Sequence, residues 1–393
     1  MGMWIGINRK ARVCYGFDDI SLVPGKFTIN PEEVDISTSI GPIKLSIPIL
    51  SAAMDGVTDT KFSIAFGKMG GLAILNLMGI YTRYQDPYSI IEKIISSPEE
   101  KATSIIQDIY KEPIKERLIG ERIEEIKKEK VLCGVSCIPQ FAEKFGPIAQ
   151  EAGADIFVVQ STVTTAKHLS TKYKPLNLAD FCKSMKIPVI AGNCVTYDVA
   201  LELMECGVSA ILVGIGPGAA CTTREVLGIG IPQVTATCDC AWARDVYYRK
   251  TGRYVSVVTD GGMVTSGDIC KAFASGADAV MIGSAFVRAK ESPGKGYHWG
   301  MATSDENLPR GTRIYLGVSG TLKEILFGPA RVDDGSQNLI GALKLSMGCV
   351  GAKNIKEMQM IEIAIAPSVK TEGKIYQSAK KAMSSGQWTI KST

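Results

Sequence analysis

The sequence predicts an α/β fold, a (β/α)8 barrel built as a single domain over residues 1–393, and three observations predict it. Short apolar, β-rich runs recur along the chain; a turn and a helical pattern follow most of them; and eight such runs can be counted. Most are continuously apolar rather than alternating, as parallel strands buried on both faces are. Eight βα units closing on themselves give a barrel, with an open doubly wound sheet as the architectural alternative. A chain of 393 residues, 46% of them hydrophobic, can bury a large core, and ~200–250 residues suit one barrel.

The strands are expected at Ile47–Ala53, Gly71–Leu75, Val131–Cys137, Asp155–Gln160, Ile187–Gly192, Ala210–Gly214, Tyr254–Thr259 and Ala279–Gly283. Helical patterns lie between them at Thr60–Met69, Phe141–Ala152, Leu178–Lys186, Thr196–Cys206, Cys238–Thr251 and Ser266–Ser275. The connection over 78–130 is long and reads as a helical insertion after strand 2, too short and too helical for a second domain. Within it Lys111–Lys130 alternates in charge sign, the pattern of a solvated helix. It carries no chemical signal and is expected to pack under the barrel or to mediate assembly. After Ser284 the repeat stops, and 285–345 reads as a C-terminal flap or excursion with Gly/Pro-rich stretches at Ser292–Gly296 and Leu308–Gly311.

Composition narrows the function. A net charge of +4 without a clustered basic stripe suits an anionic small molecule and excludes a nucleic-acid face. The chain has eleven cysteines but no C-x-x-C, only Cys133/Cys137 and Cys238/Cys240, and two histidines, His168 and His298. Scattered thiols of odd number fit a reducing, cytoplasmic compartment rather than disulfides or a thiolate metal site. No stretch approaches the ~18 apolar residues of a membrane span, so no membrane partner is expected.

Barrel active sites form where the strands end. After strand 6 comes Gly214-Ile215-Gly216-Pro217-Gly218-Ala219-Ala220-Cys221-Thr222-Thr223-Arg224. Glycines allow a tight turn that delivers a thiol flanked by hydroxyls and a cation, a setting for nucleophilic cysteine. After strand 7 comes Asp260-Gly261-Gly262 and after strand 8 Gly283-Ser284, where backbone amides of such barrels often hold a phosphate. Asp260 disfavours an anion and is expected to accept hydrogen bonds from ribose hydroxyls.

These residues carry a resemblance. From about Gly16 to Tyr376 the chain resembles the IMP dehydrogenase/GMP reductase family, through Phe17-Asp18-Asp19-Ile20, Ser51-Ala52-Ala53-Met54-Asp55, Ala191-Gly192-Asn193, the Cys221 loop, Asp260-Gly261-Gly262, Ile282-Gly283-Ser284, Gly300-Met301 and Ser346-Met347-Gly348. Gly300-Met301-Ala302-Thr303 and Pro309-Arg310-Gly311-Thr312-Arg313 look most like a side branch with no CBS domains. The resemblance implies a homotetramer acting on a purine nucleoside monophosphate. Cys221 would add to C2 of the purine, with Thr223 beside it handling water or the leaving group. Ser51, Met54, Gly218, Asp260, Gly262, Gly283, Ser284, Gly300 and Met301 would hold the nucleotide, and His298 stands where a phosphate-contacting tyrosine is usual. Gln160, Ser161, Asn193 and Gly214 would face NAD; Gln160 replaces an aspartate, which opens the choice to NADP. Carbonyls of Gly216, Gly218 and Cys221, with Glu372, Gly373 and Lys374 of a neighbouring subunit, would hold K+. Ala219 and Ala220 replace a hydroxyl-bearing pair, which removes one phosphate contact.

The implied reaction is oxidation of IMP to XMP through a thioimidate, a step of guanine nucleotide synthesis. GMP reduction with NADPH is the alternative, and a nucleotide-binding paralogue without turnover the third reading. Met301–Pro309 lacks the Arg-Tyr pair that dehydrogenases use to activate water, which favours the reductase. Arg310 stands where the reductase has a proton-donating glutamate, which favours the dehydrogenase with Arg310 or Arg313 acting on water.

Overall fold

In the computed structural model, which describes residues 2–300 and 312–366, eight strands close in chain order into a parallel barrel. They are β1 (Ile49–Ser51), β2 (Leu72–Asn76), β3 (Gly134–Cys137), β4 (Ile156–Gln160), β5 (Val189–Cys194), β6 (Ala210–Val213), β7 (Ser256–Asp260) and β8 (Ala279–Ile282). β8 returns to β1 with Met281 opposite Leu50 and Ile282 opposite Ser51. The open-sheet alternative is therefore excluded.

The continuous apolar runs have a direct explanation. Ile74, Ile156, Val158, Leu212 and Met281 point into the barrel and pack on one another. Their neighbours Leu75, Phe157, Val159 and Ile211 point outward into a layer shared with the surrounding helices. Both faces are buried, so no polar alternation survives. A hairpin, Thr38–Ile40 with Ile43–Leu45, plugs the N-terminal end of the barrel with Ile40 and Leu45. That plug has no counterpart among the sequence-based expectations.

Three expected boundaries are corrected. The helix expected from Cys238 starts at Gln233 and runs to Thr251. Its first turn lacks an apolar stripe because it docks on Tyr15, whose backbone exchanges hydrogen bonds with Thr235. The insertion is smaller than 78–130: Glu116–Lys128 packs between Thr60–Lys68 and Pro139–Glu151 as a ring helix of the barrel. Pro87–Ile95 and Glu99–Ile109 form the added pair. The excursion also ends before 345, because Leu339–Val350 packs on Ser266–Ala274 and completes the ring. What lies between contains an antiparallel pair, Tyr297–His298 with Ile314–Tyr315, and the helix Leu322–Phe327.

No described helix is long and apolar enough to cross a membrane. Among the described residues no group of three His, Cys, Asp or Glu side chains is placed to hold a metal ion, and all eleven cysteines are free thiols.

Candidate active site

The C-terminal strand ends open into one cleft of about 1270 Å³, its open mouth included. Its walls carry Met54 after β1, Gln160 and Ser161 at β4, Asn193 on β5, Gly214 to Thr223 after β6, Asp260 to Gly262 at β7, Gly283 and Ser284 after β8, then His298 and Gly300. Residues spread over the whole chain thus meet in one place because each follows a barrel strand.

The loop after β6 is shaped around Cys221. At Gly214 φ is +147°, and a Cβ there would lie 2.3 Å from the Asp260 carbonyl oxygen. Only glycine lets the loop leave β6 against β7. The Cys221 N–H donates to the Gly218 carbonyl at 3.0 Å, closing a tight turn. Cys221 Sγ lies 3.1 Å from Thr223 Oγ1; the thiol donates in this state, and the hydroxyl can donate to a thiolate once the proton has left. Arg224 is not the cation beside the thiol that the sequence suggested. Its guanidinium donates to the Ile215 and Ile231 carbonyls and clamps the loop.

A second thiol, Cys137, also reaches the cleft. Burial pushes its pKa far above the ordinary range and keeps it neutral. Of the two, only Cys221 stands on the open loop beside a hydroxyl.

Opposite the thiol lies a polar cluster. Asp260 Oδ2 accepts from Asn193 Nδ2 at 2.8 Å and from Gln160 Nε2 at 3.1 Å. Gln160 also donates to Asn193 Oδ1 at 3.1 Å. Packed protein around Asp260 raises its pKa to about 6, against the stabilising pull of the Asn193 amide. Asp260 therefore offers a carboxylate at neutral pH, well suited to receive hydroxyl donors. His298 is 1% exposed, and neither ring nitrogen has a partner among the described residues. Burial lowers its pKa to about 4, so it faces the cleft as a neutral imidazole able to donate one hydrogen bond and accept another.

Two of the expected side chains are placed away from the cleft. Ser51 does not reach the cleft: its hydroxyl is wholly buried, 2.7 Å from Thr58 Oγ1, and accepts from the Ile74 N–H. Ala52, Ala53 and Met54 form that wall instead. Arg313 is likewise committed elsewhere, to the carbonyls of Ile94 and Ser97 and to Glu99. Met301, Arg310, Glu372, Gly373 and Lys374 lie outside the described residues.

The sequence reading missed Asn76, Met78, Ser136 and Ile138, all on the wall at the ends of β2 and β3. A signal was present, since Asn76 and Ser136 interrupt apolar runs with polar side chains at strand ends. Gln233 was also missed; it ties the β6 and β7 ends together by donating to the Val213 and Asp260 carbonyls.

A family model described as "IMP dehydrogenase / GMP reductase domain" matches residues 14–376. A Mycolicibacterium smegmatis protein named as an uncharacterized oxidoreductase is 34% identical, over 92% of this chain and 99% of its own length. The inosine-5'-monophosphate dehydrogenase of Borreliella burgdorferi is 32% identical, over 90% of this chain and 94% of its own. A crystal structure of an IMP dehydrogenase/GMP reductase-like protein from Corynebacterium glutamicum superposes with a TM-score of 0.88 at 35% identity, covering 93% of this chain and 97% of the other.

Proposed function

The chain belongs to the IMP dehydrogenase/GMP reductase family, a family of oxidoreductases, and from that premise we propose that it oxidises IMP to XMP through a covalent adduct on Cys221. The observation that carries this reading is the open thiol of Cys221 beside Thr223, in one cleft with the Asp260–Asn193–Gln160 cluster.

In this reading Asp260 takes the ribose hydroxyls, while Met54, Gly218, Gly262, Gly283, Ser284, His298, Gly300 and Met301 hold the remainder of the nucleotide. The Cys221 thiolate adds to C2, a carbon–sulfur bond forms, and C2 becomes tetrahedral. Loss of hydride from C2 leaves a thioimidate. Gln160, Ser161, Asn193 and Gly214 would hold NAD, with NADP as the variant, which when bound would supply the hydride acceptor. These four fit a nicotinamide ring and its carboxamide, since they bring amides, a hydroxyl and bare backbone. Gln160 adds no carboxylate that would repel a ribose phosphate. Water then adds to C2, the carbon–sulfur bond breaks, and the thiolate leaves as XMP forms. Thr223 Oγ1 is within reach of that sulfur and can shuttle its proton.

With Arg313 committed to carbonyls, Arg310 is left as the candidate to act on water. The Gly216 and Gly218 carbonyls fit a monovalent cation such as K+, together with Cys221 and with Glu372, Gly373 and Lys374 of a neighbour in a homotetramer. GMP reduction with NADPH is the second reading, favoured by the missing Arg-Tyr pair in Met301–Pro309.

The assay mixes the protein with IMP and NAD, and separately with GMP and NADPH, with K+ present. NADH and XMP are expected in the first mixture. NADPH consumption with release of IMP and ammonia would establish the reductase instead. Arg310→Ala is expected to leave the single-turnover hydride step within about threefold while slowing thioimidate hydrolysis by about 10²-fold. Equal loss of both steps would remove Arg310 from the chemistry.

A further inference from the structure

The added helix pair contributes no described residue to the cleft lining, yet polar contacts at its turn and its end lead to three walls of the cleft. Tyr110, which follows the helix Glu99–Ile109, is buried. Its hydroxyl donates to Asp55 Oδ2 at 2.7 Å and accepts from Trp299 Nε1 at 2.9 Å. Asp55 is wholly buried and adjoins Met54; Trp299 is wholly buried and sits between His298 and Gly300. One phenol thus joins two walls that lie far apart in the chain.

The second contact is Arg313, 7% exposed. It donates to the Ile94 carbonyl at 2.6 Å, the Ser97 carbonyl at 2.8 Å, Ser97 Oγ at 2.8 Å and Glu99 Oε2 at 2.8 Å. All four acceptors lie in or beside the turn joining the two added helices, from Ile94 at the end of the first to Glu99 at the start of the second. The ring of Tyr297 packs under the guanidinium, 5.2 Å away. The preceding residue, Thr312, donates its N–H to the Ala220 carbonyl at 3.2 Å, one residue before Cys221. Burying a guanidinium on backbone carbonyls is costly unless its donors are matched. Here the two terminal nitrogens are matched, while Nε has no partner among the described residues, and the matched pair ties the insertion to the Cys221 loop through Arg313 and Thr312.

We propose that the helical insertion sets the geometry of the cleft, with Tyr110 and Arg313 as positioning residues: Tyr110 for the Met54 and His298–Gly300 walls, Arg313 for the Cys221 loop. The chain needs such a support because loop walls without a second shell of bonds drift, and displacement of ~1 Å at a reacting centre costs about 10²-fold in rate. The inference rests on the proposed function only for the choice of IMP as the nucleotide probe.

The test uses the full chain with Tyr110→Phe, Arg313→Ala and Arg313→Lys, and Arg117→Ala on the exposed face of the neighbouring ring helix Glu116–Lys128 as control. Two quantities are read: the rate at which iodoacetamide alkylates Cys221, located by peptide mass, and the IMP concentration for half-saturation. Arg313→Ala is expected to change the alkylation rate by about fivefold or more, and Tyr110→Phe to raise half-saturation about tenfold, the range of a lost coupling between sites. Arg313→Lys should recover part of the loss, and Arg117→Ala should stay within about twofold on the same scale. Lower melting temperatures with both quantities within about twofold of wild type would make the insertion a stability element only and overturn the proposal. Should Arg313→Ala fail to fold, the conservative pair decides. If wild type itself does not bind IMP, the functional reading falls, and the alkylation rates alone judge the inference.

Discussion

Replacing Cys221 with alanine is expected to lower turnover by at least about 10⁴-fold, because covalent catalysis loses its only nucleophile. Nucleotide affinity should change far less, by about threefold or under, since the thiol is not among the groups that grip ribose or phosphate. Serine should fare little better than alanine: a hydroxyl needs a base, and the side chain bonded to Cys221 Sγ among the described residues is the neutral Thr223 hydroxyl. The contrast with Cys137 sharpens the expectation. Cys137→Ala touches the same cleft but removes a thiol held neutral by burial, so hydride transfer should persist. The measurements are steady-state rates, nucleotide binding by calorimetry, and intact mass after exposure to a 6-chloropurine nucleotide. Wild type should gain one nucleotide adduct at Cys221 and Cys221→Ala none. An adduct retained on another residue, or turnover retained in Cys221→Ala, would end the covalent reading.

The parts of this molecule that the sequence made legible share one physical cause. A parallel strand covered on both faces must be apolar at every position, so runs such as Ile156–Gln160 and Ala210–Val213 announce themselves. The barrel rule then converts each strand end into a wall position, which located Cys221, Asp260 and Gly283 together. What stayed hidden depends on register or on distance. Ser51 belongs to a motif shared with relatives, yet its side chain faces Thr58 inside the wall rather than the cleft. Arg224 looked like a partner for the thiol until its guanidinium was seen on two loop carbonyls. Tyr110 and Trp299 meet across 189 residues of chain, and nothing local in either segment encodes the pairing. The misplaced boundary at Gln233 arose because a helix start covered by Tyr15 shows no amphipathic stripe.

Asp260→Asn is expected to separate stability from function in opposite directions. Burial raises the folded-state pKa of Asp260 to about 6, above the ordinary aspartate value of 3.8. Between those values the folded chain binds more protons at this site than the unfolded chain, so its contribution to stability is fully present below about pH 4 and lost as pH rises through about 6. Two pKa units correspond to about 3 kcal/mol, an upper figure for a carboxylate that keeps some contact with the cleft. Asparagine removes the charge and can still accept from Asn193 and Gln160, so the variant should melt above wild type at pH 8. The difference should shrink toward pH 4, where wild type carries a neutral carboxyl as well. Asp55, also raised to about 6 by burial, follows the same direction and remains in both proteins, so it cancels in the comparison. Binding should move the other way. An amide accepts hydroxyl donors less strongly than a carboxylate, and loss of charge-assisted bonds worth about 1.5–3 kcal/mol should weaken nucleotide affinity by at least about tenfold. Paired melting curves at pH 4.5 and pH 8, with calorimetric titration of IMP at pH 8, read both effects on the same samples. A variant that is more stable at pH 8 yet binds IMP as wild type does would show that Asp260 holds the strand ends without holding the ribose. A variant that is less stable at pH 8 would show that its two amide contacts outweigh the charge they surround.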